Sequence, residues 1–429
     1  MLDLRRIRTE PDAVRAGLSR RGGDAAAHVD RILALDAESR ALGTKRDDLR
    51  AQVKLLSKEV GRLRGQGDTA GAEAKMAESR ALGDEEKGLD AQADAIADEL
   101  RDLLLRTPNL PADDCPDGAG EADNVVLRIE GFDPEAYDDH QRVAHWDIGT
   151  ELGIIDGERA AKISGSMFTM YRGWGARLLR GMVQLSLDRN ADAYEEIRPP
   201  TLVRTDTMIS TGHLPKFEEE AYHMERDDLW AIPTAEVPLT SLHRDEVLDA
   251  AELPLRYTAY TSCFRREAGA AGRDTRGLLR SHEFDKVELL AVAADAEQAV
   301  ACQEDILARS EAMLQELGLA YRILDLCTGD IGASACRTWD LEAYAPGCDL
   351  WLEVSSVSWF TDYQARRANI RHRAKGEKGT EVCHTVNGSA MGWPRTVAAY
   401  LETHRRPDGS IAIVEALQPY LRADNIPAR

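Results

Sequence analysis

Two series of apolar residues spaced seven apart constrain the fold of this chain more than any other feature. The first series has leucine at one seam position of a heptad and valine at the other, and it consists of Leu35, Leu42, Leu49, Leu56 and Leu63 with Val53 and Val60. The second series keeps the same period and consists of Leu82, Leu89, Ile96 and Leu103 with Ala93 and Leu100. A glycine-containing break at residues 65–71 separates the two. The pattern predicts two helices of roughly 35 residues that fold back as an antiparallel coiled-coil arm, about 30–105, on the order of 50 Å long.

The two predicted helices differ in charge. Between residues 40 and 64 there are eight basic residues against three acidic ones, and the basic ones are Arg40, Lys45, Arg46, Arg50, Lys54, Lys58, Arg62 and Arg64. The return helix is acidic, with Asp84, Glu85, Glu86, Asp90, Asp94, Asp98 and Glu99. One interpretation is a solvated coiled coil whose charges aid helix pairing. The other is a basic stripe that contacts a phosphate backbone, where affinity comes from counterion release.

The composition is that of an ordinary globular protein, with 429 residues and 43% hydrophobic content. A net charge of −21 argues against non-specific coating of nucleic acid or of acidic membrane. Seven cysteines without a C-x-x-C pair signal neither a disulfide framework nor a compact zinc site, so we expect no zinc and a cytoplasmic location. No run of eighteen apolar residues occurs, and we expect no signal peptide and no membrane partner.

A proline-punctuated segment at residues 107–111 ends the helical arm. We therefore place a domain boundary near residue 113, with an N-terminal domain at 1–113 and a second domain at 114–429. From Asn124 onward, short strands alternate with helices in no regular βαβ order. This pattern predicts an α+β domain around an antiparallel sheet.

A strand-like pair of segments between Leu255 and Leu290 carries the strongest chemical signal. Period-2 geometry sends Arg265 and Glu267 to one face of the first strand, and it points Phe284 and Glu288 the same way on the second. An arginine fork suits a phosphate, an aromatic ring suits a flat base, and a glutamate suits an ammonium or a hydroxyl. The hairpin indicates a site for a nucleotide and a small polar molecule; the alternative is a surface hairpin with solvated charges.

The neighbouring segments favour the first interpretation. A helix at residues 181–187 leads to a proline-kinked strand at 197–203, the hairpin follows, and a strand ending at Asn387–Ser389 precedes a helix that begins at Arg395. This order resembles motifs 1, 2 and 3 of class II aminoacyl-tRNA synthetases. Over nearly its whole length the chain resembles the bacterial seryl-tRNA synthetases, and the segments that carry the likeness are the arm, residues 212–217, 233–239, 264–288, 353–356 and 384–389.

The resemblance implies a serine–tRNA ligase built on a class II catalytic domain, with ATP as a substrate. The implied ATP-binding residues are Arg265, Arg266, Glu267, Phe284, Glu353, Val354, Ser355, Ser356 and Arg395. Among these, Arg265 and Arg395 are the implied catalytic residues, on the α- and γ-phosphates respectively, and Phe284 stacks on adenine. Glu353 and Ser356 are the implied ligands of Mg²⁺. Strand alternation pairs Glu353 with Ser355, so Ser356 needs a bulge to join it.

The resemblance also implies the other partners. The serine-binding residues are Thr234, Ala235, Glu236, Glu288 and Ser389, with Thr234 and Glu236 expected on one strand face. Glu236 would pair with the ammonium of serine, whereas Glu288 and Ser389 would contact its hydroxyl. The arm would bind tRNA(Ser), and tRNA(Sec) where present, through Arg40, Lys45, Arg46, Arg50, Lys54, Lys58 and Arg62. Motif 1 implies a homodimer.

The segment before Arg395 departs from the family pattern. Residues 390–395 read Ala-Met-Gly-Trp-Pro-Arg where Gly-Leu-Ala-Val-Gly-Arg is usual, and Trp393 adds volume close to the site. This change motivates a second hypothesis, a specialised paralogue that resists an inhibitor or serves natural-product biosynthesis. A third hypothesis, a non-catalytic binding module, conflicts with the retention of the transition-state groups.

Overall fold

A computed structural model describes residues 1–269 and 276–429. Its contacts divide the chain into two compact units. One comprises residues 3–19 and 23–107; the other comprises residues 1–2, 20–22 and 108–429. The tip of the predicted hairpin, residues 270–275, lies outside the described residues.

The smaller unit is helical, and its helices are α1 Leu4–Thr9, α2 Pro11–Ser19, α3 His28–Gly65 and α4 Thr69–Arg106. The two long helices have 38 residues each, which corresponds to about 57 Å. Asp68 begins α4 by accepting a hydrogen bond from the backbone N–H of Gly71. The predicted heptad helices and the short break between them are therefore present.

Ion pairs show that α3 and α4 run antiparallel. Arg31, Arg46 and Arg50 on α3 pair with Glu99, Asp90 and Glu86 on α4, so the residue numbers rise on one helix as they fall on the other. The apolar seam between them includes the buried heptad residues Leu35, Leu49, Leu56 and Leu89. The predicted antiparallel pairing is confirmed.

The larger unit is built around an eight-stranded sheet in the order β1-β9-β10-β11-β14-β8-β7-β2. Neighbouring strands are antiparallel except for the short β2, which runs parallel to β7. The strands of this sheet are β1 Val125–Glu130, β2 Glu195–Glu196, β7 Leu255–Phe264, β8 Glu283–Ala293, β9 Tyr321–Asp325, β10 Arg337–Ala345, β11 Leu350–Trp359 and β14 His384–Gly392. The predicted α+β fold around an antiparallel sheet is confirmed.

Small sheets of two or three strands complete the β structure. Their strands are β3 Leu202–Arg204, β4 His223–Met224, β5 Leu229–Ala231, β6 Val247–Asp249, β12 Arg371–Arg373, β13 Glu381–Val382, β15 Ile411–Ala412 and β16 Asn425–Ile426. The helices of this unit are α5 His145–Leu152, α6 Gly157–Ser164, α7 Trp174–Asn190, α8 Thr205–Thr211, α9 Glu236–Thr240, α10 Ala296–Glu316, α11 Tyr363–Ala368, α12 Arg395–Thr403 and α13 Gln418–Leu421.

The main core lies between one sheet face and helices α7, α10 and α12. Leu289 on β8 and Val386 on β14 pack in the same buried cluster as Met182, Ile306 and Leu401 from the three helices. Because side chains alternate along a strand, the residues before and after Leu289 on β8 face the other side of the sheet. The opposite face of β8 carries Phe284, Lys286 and Glu288 in its first half, and in its second half Leu290 and Val292 pack in another buried apolar cluster.

Two local predictions need correction. The segment 197–203 is not one strand: residues 197–201 lie between β2 and β3, because Pro199 and Pro200 have no N–H to give to a ladder. Strand β14 also continues three residues beyond Ser389. Among the described residues, none of the helices is long and apolar enough to cross a membrane.

Candidate active site

One cavity of about 430 Å³ brings together most of the predicted site residues. Those that line it are Thr234, Glu236, Arg265, Glu267, Phe284, Glu288, Glu353, Val354, Ser355, Ser356, Ser389 and Arg395. Two predicted residues are placed elsewhere. Ala235 is fully buried, and Arg266 is exposed, with its backbone N–H bonded to the carbonyl of Glu220. The cavity is therefore assembled from segments far apart in the sequence.

Arg265 and Glu267 both line the cavity, but the predicted reason is wrong. Strand β7 ends at Phe264, and Glu267 lies in a turn with a positive φ of 51°. Glu267 is held by Arg280, whose Nη1 lies 2.7 Å from Oε2. The Arg265 guanidinium carbon lies 5.1 Å from the centre of the Phe284 ring. A turn, and not strand alternation, brings these two side chains to one side.

Strand β8 presents Phe284, Lys286 and Glu288 to the cavity at alternate positions, as the predicted period requires. Lys286 was not predicted as a site residue. Its Nζ lies 2.5 Å from Oε2 of Glu288 and 2.8 Å from Oγ1 of Thr234. All three side chains are buried. A buried charge requires a partner, so the ammonium and the carboxylate compensate each other. The same strand alternation that placed Phe284 and Glu288 on one face also predicts that Lys286, between them, lies on that face.

The prediction that Glu236 and Thr234 share a strand face is wrong. Glu236 is the first residue of the short helix α9, since the segment after Pro233 turns directly into a helix. Its Oε1 accepts a hydrogen bond of 2.6 Å from Nε2 of Gln364, a residue that sequence reasoning missed. Burial, with a smaller contribution from the charge of Glu288, raises the pKa of the Glu236 carboxyl to about 7.

The bulge required in β11 is present. Glu353 pairs with Glu342 and Ser355 pairs with Leu341, so Val354 is the extra residue. The bulge places both Glu353 and Ser356 on the cavity. Burial and the nearby Glu353 charge raise the pKa of Asp340, which bonds to Ser356 and was not predicted. One oxygen of Asp340 is buried with no hydrogen-bond partner among the described residues.

Strand β14 lies between β11 and β8 and connects their contributions. Ser389 is paired with Glu288 across the strands, which brings these two predicted serine ligands side by side. The hydroxyl of Ser355 donates a hydrogen bond of 2.5 Å to the Ser389 carbonyl. The oxygen-bearing side chains of three adjacent strands therefore occupy one sheet face.

Arg395 begins helix α12, as predicted, and its guanidinium is held at two points. Its Nε donates to the Leu279 carbonyl at 3.0 Å, and its Nη1 donates to the Glu353 carbonyl at 3.1 Å. Trp393 and Pro394 also line the cavity. Trp393 is 1% exposed, and its indole N–H has no hydrogen-bond partner in the described part of the chain. The residue that departs from the family pattern therefore forms part of the cavity wall.

The seven basic residues predicted to bind tRNA fall into three groups. Near the middle of the arm Lys45, Arg46 and Arg50 pair with acidic residues of α4 at 2.5–3.3 Å. Lys54 and Lys58, nearer the tip, make no ion pair with any described residue. The remaining two form pairs within α3, Arg40 with Asp36 and Arg62 with Glu59. Helix pairing thus accounts for part of the basic stripe and leaves cations near the tip.

Comparisons with known proteins identify both parts of the chain. The seryl-tRNA synthetase N-terminal domain matches residues 1–111, and the class II tRNA synthetase core domain (G, H, P, S and T) matches residues 216–404. The serine–tRNA ligase of Roseiflexus is 46% identical over 422 residues, covering 98% of both chains. That of Synechocystis is 44% identical, covering 99% of this chain and 100% of its own.

Solved structures agree with these sequence matches. The seryl-tRNA synthetase of Pyrococcus horikoshii, solved in complex with ATP, superposes with a TM-score of 0.91 at 33% identity and full coverage of both chains. The cytoplasmic serine–tRNA ligase of Naegleria fowleri, solved with AMP, gives a TM-score of 0.87 at 27% identity, covering 100% of this chain and 99% of its own. Since the likeness extends over the entire length at such identity, this chain belongs to the seryl-tRNA synthetase family of class II aminoacyl-tRNA synthetases.

Proposed function

We propose that the cavity performs the serine–tRNA ligase reaction in two steps, formation of seryl-adenylate from serine and ATP and transfer of serine to the 3′ end of tRNA(Ser). One observation carries the proposal: two arginines and an aromatic ring share a single cavity with a buried cluster of Thr234, Glu236, Lys286 and Glu288. The first set suits a nucleotide, and the second suits a small zwitterion with a hydroxyl group.

The nucleotide side is organised by the arginines. Arg265, beside the Phe284 ring, is placed to hold the α-phosphate while the ring stacks on adenine. Arg395 is placed for the γ-phosphate and for the leaving pyrophosphate. The hard oxygens of Glu353 and Ser356, with the partnerless oxygen of Asp340 nearby, fit Mg²⁺, which would neutralise phosphate charge.

The serine side is organised by a charge balance. Glu236 and Glu288 carry two carboxylates against the one ammonium of Lys286, and this leaves room for one more positive charge. The ammonium of serine supplies it when it pairs with ionised Glu236. The paired Glu288 and Ser389 are then placed to bind the hydroxyl. Alanine, which lacks that hydroxyl, would leave these buried groups unpaired, and rejection in favourable cases reaches about 10⁴-fold.

The chemistry needs no general base. The carboxylate oxygen of serine attacks the α-phosphorus, its bond to phosphorus forms as the bond to pyrophosphate breaks, and Arg265 stabilises the negative charge on the phosphoryl oxygens. In the second step the terminal ribose hydroxyl of tRNA attacks the carbonyl carbon of the adenylate, the bond from that carbon to the phosphate oxygen breaks, and AMP leaves with the hydroxyl proton on its phosphate. Positioning and charge neutralisation therefore supply the catalysis. The homodimer, the cytoplasmic location, tRNA(Sec) as a second substrate and the division of roles between residues 1–113 and 114–429 remain predictions.

Amino-acid-dependent exchange of pyrophosphate into ATP tests the proposal, with all twenty amino acids compared on the purified protein. Serine should support exchange, and alanine and threonine should not do so at equal concentration. Absence of serine-dependent exchange in a folded protein that binds ATP would contradict the proposed reaction.

A second candidate is the specialised paralogue, and the placement of Trp393 favours it. The indole lines the cavity at a position where the family pattern has a small aliphatic residue. A non-hydrolysable seryl-adenylate analogue separates the two candidates. Weak inhibition that becomes tight in Trp393→Val supports inhibitor resistance, whereas tight inhibition of the unaltered protein rejects it.

A further inference from the structure

A buried cluster of His145, Glu402 and Cys348 lies in the larger unit, outside the cavity. Nδ1 of His145 is 2.7 Å from Oε1 of Glu402, and the Cys348 thiol is 3.0 Å from the same oxygen. His145 and Glu402 are fully buried. The other ring nitrogen, Nε2, lies 2.9 Å from the backbone N of Leu278. A backbone N–H can only donate, so Nε2 is the acceptor and the proton is on Nδ1, donated to Glu402.

This arrangement excludes the cluster as a metal site. A metal bound at Nδ1 would move the proton to Nε2, which would then oppose the N–H of Leu278. The second oxygen of Glu402 is also occupied, since it accepts from the backbone N–H groups of Gly347 and Cys348. The cluster is therefore a saturated hydrogen-bond network that fixes the orientation of the His145 ring.

The His145 ring contacts the return segment of the motif 2 hairpin. Besides the bond to Leu278, Gly277 lies against α5 with a φ of 59°, and a Cβ at this position would lie only 2.8 Å from Cε3 of Trp146. The guanidinium of Arg276 lies 4.7 Å from the centre of the Trp146 ring. Three consecutive hairpin residues thus dock on the first turn of α5.

The next hairpin residue touches the proposed catalytic machinery. The carbonyl of Leu279 accepts the Nε–H of Arg395. Arg395 and Glu402 belong to the same helix, α12 Arg395–Thr403. The contacts therefore close a ring, from Glu402 to His145, to Leu278 and Leu279, to Arg395 and back along the helix.

We propose that His145 is a positioning residue for the Arg395 phosphate clamp. Its hydrogen bond to Leu278 fixes the position of the hairpin return segment, and the Leu279 carbonyl in that segment orients the guanidinium of Arg395. His145 thereby sets the affinity of the site for the triphosphate of ATP. This inference rests on the proposed role of Arg395. The serine-binding side chains lie outside the ring, so the effect falls on ATP and not on serine.

Two substitutions of His145 separate its two hydrogen bonds. The amide nitrogen of His145→Asn can replace Nδ1 toward Glu402, but the variant offers no acceptor to Leu278. The amide oxygen of His145→Gln can replace Nε2 toward Leu278. His404→Asn is the control, because His404 is a partly buried histidine that follows the end of α12 and bonds through Nε2 to a backbone carbonyl, that of Leu317 at 2.7 Å.

We expect His145→Asn to raise the KM for ATP and the Kd for ATP measured by calorimetry by about tenfold, the usual value for one lost buried hydrogen bond. His145→Gln should recover most of this loss, and the KM for serine should stay within about twofold because no serine ligand is moved. His404→Asn should lower the melting temperature similarly while leaving both ATP constants unchanged. Gly277→Ala should reproduce the ATP effect, because its Cβ would press on the His145 and Trp146 rings at a positive φ, and its melting temperature is compared with that of His404→Asn to separate this effect from a loss of stability.

Equal changes in the ATP constants of His145→Asn and His404→Asn would overturn the inference, as would unchanged ATP affinity in Gly277→Ala. Equal effects on serine and ATP would also overturn it, since that result indicates a general structural role. The calorimetric measurement with ATP alone does not need serine-dependent turnover. Failure of the proposed function in the unaltered protein is therefore distinguishable from failure of this inference.

Discussion

Glu236→Gln tests the charge logic of the serine pocket. The pKa of Glu236 lies near 7 because the carboxyl is buried beside Glu288, so it is mostly neutral at pH 6 and mostly ionised at pH 8. In the proposed binding mode, only the ionised form of Glu236 pairs with the ammonium of serine. The substitution keeps the shape of the side chain and leaves an amide oxygen to accept the 2.6 Å hydrogen bond from Gln364. Folding should therefore be little affected.

The magnitude follows from the titration. With a pKa of about 7, the ionised fraction rises from about one-eleventh at pH 6 to about ten-elevenths at pH 8, so kcat/KM for serine should rise about tenfold. A hydrogen bond to a charged group contributes about 1.5–3 kcal/mol, which corresponds to a loss of roughly 10- to 150-fold for Glu236→Gln at pH 8. The loss at pH 6 should be about tenfold smaller, because the unaltered protein is then mostly neutral at this position.

The assay is serine-dependent pyrophosphate exchange at saturating ATP, measured across this pH range. Glu311→Gln provides the control, because Glu311 is also a buried glutamate but does not line the cavity. The control should retain the tenfold rise, whereas Glu236→Gln should lose it. Parallel pH profiles for Glu236→Gln and the unaltered protein would refute the assignment of this titration to Glu236.

Three further experiments test separate parts of the molecule. The double variant Lys54→Ala with Lys58→Ala should raise the KM for tRNA and leave pyrophosphate exchange unchanged. It should also reduce the slope of log K for tRNA binding against log salt concentration by about two. Lys45→Ala should have a smaller effect, and equal effects would show that tRNA does not contact the arm through its tip. Lys286→Met should lower the free energy of unfolding, measured by urea titration, by about 3–5 kcal/mol, because it leaves the buried carboxylate of Glu288 without a compensating charge. An unchanged urea midpoint would contradict the proposed charge compensation between Lys286 and Glu288. Trp393→Val should lower the free energy of unfolding by about 3 kcal/mol, because it leaves a cavity in the packing around residue 393. Unaltered stability would contradict this expectation, since it would mean that neighbouring side chains move to fill the space.

The elements with a strong local period could be predicted from the sequence. The heptads predicted α3 and α4 with their antiparallel pairing, because two helices with heptad seams and so short a connection can bury those seams only by folding back on each other. The first strand of the hairpin was also predicted and is present as Leu255–Phe264, although the expected alternation extended too far, to Glu267. Its alternation is local and needs no information on distant segments.

The residues missed by sequence reasoning depend on non-local contacts. Gln364 is on α11, and its partner Glu236 is 128 residues earlier in the chain. Asp340 joins the site only because β10 pairs with β11. Neither residue belongs to a recognisable local motif. Lys286 differs from these two, since it stands at the alternate position between Phe284 and Glu288 and could have been found by the same period.

Two bulges decide which side chains enter the cavity. The one at Val354 rotates β11 so that both Glu353 and Ser356 reach it, and the register shift between Ser389 and Met391 does the same for β14. Without the second shift, alternation from Ser389 would send Met391 into the cavity. With it, Met391 packs in the core and Gly392 lines the cavity.

Glycine suits that position, because a Cβ there would lie 3.0 Å from the Val354 carbonyl. The extra residue in β14 thus allows the strand to approach the bulge of β11 directly after Ser389, whose pairing with Glu288 continues the register that begins at His384 and Ala293. Trp393 follows directly and enters the cavity wall from a register that the bulge has set. A side chain this large is accommodated because the register shift after Ser389 sets the direction of the backbone that leads to it.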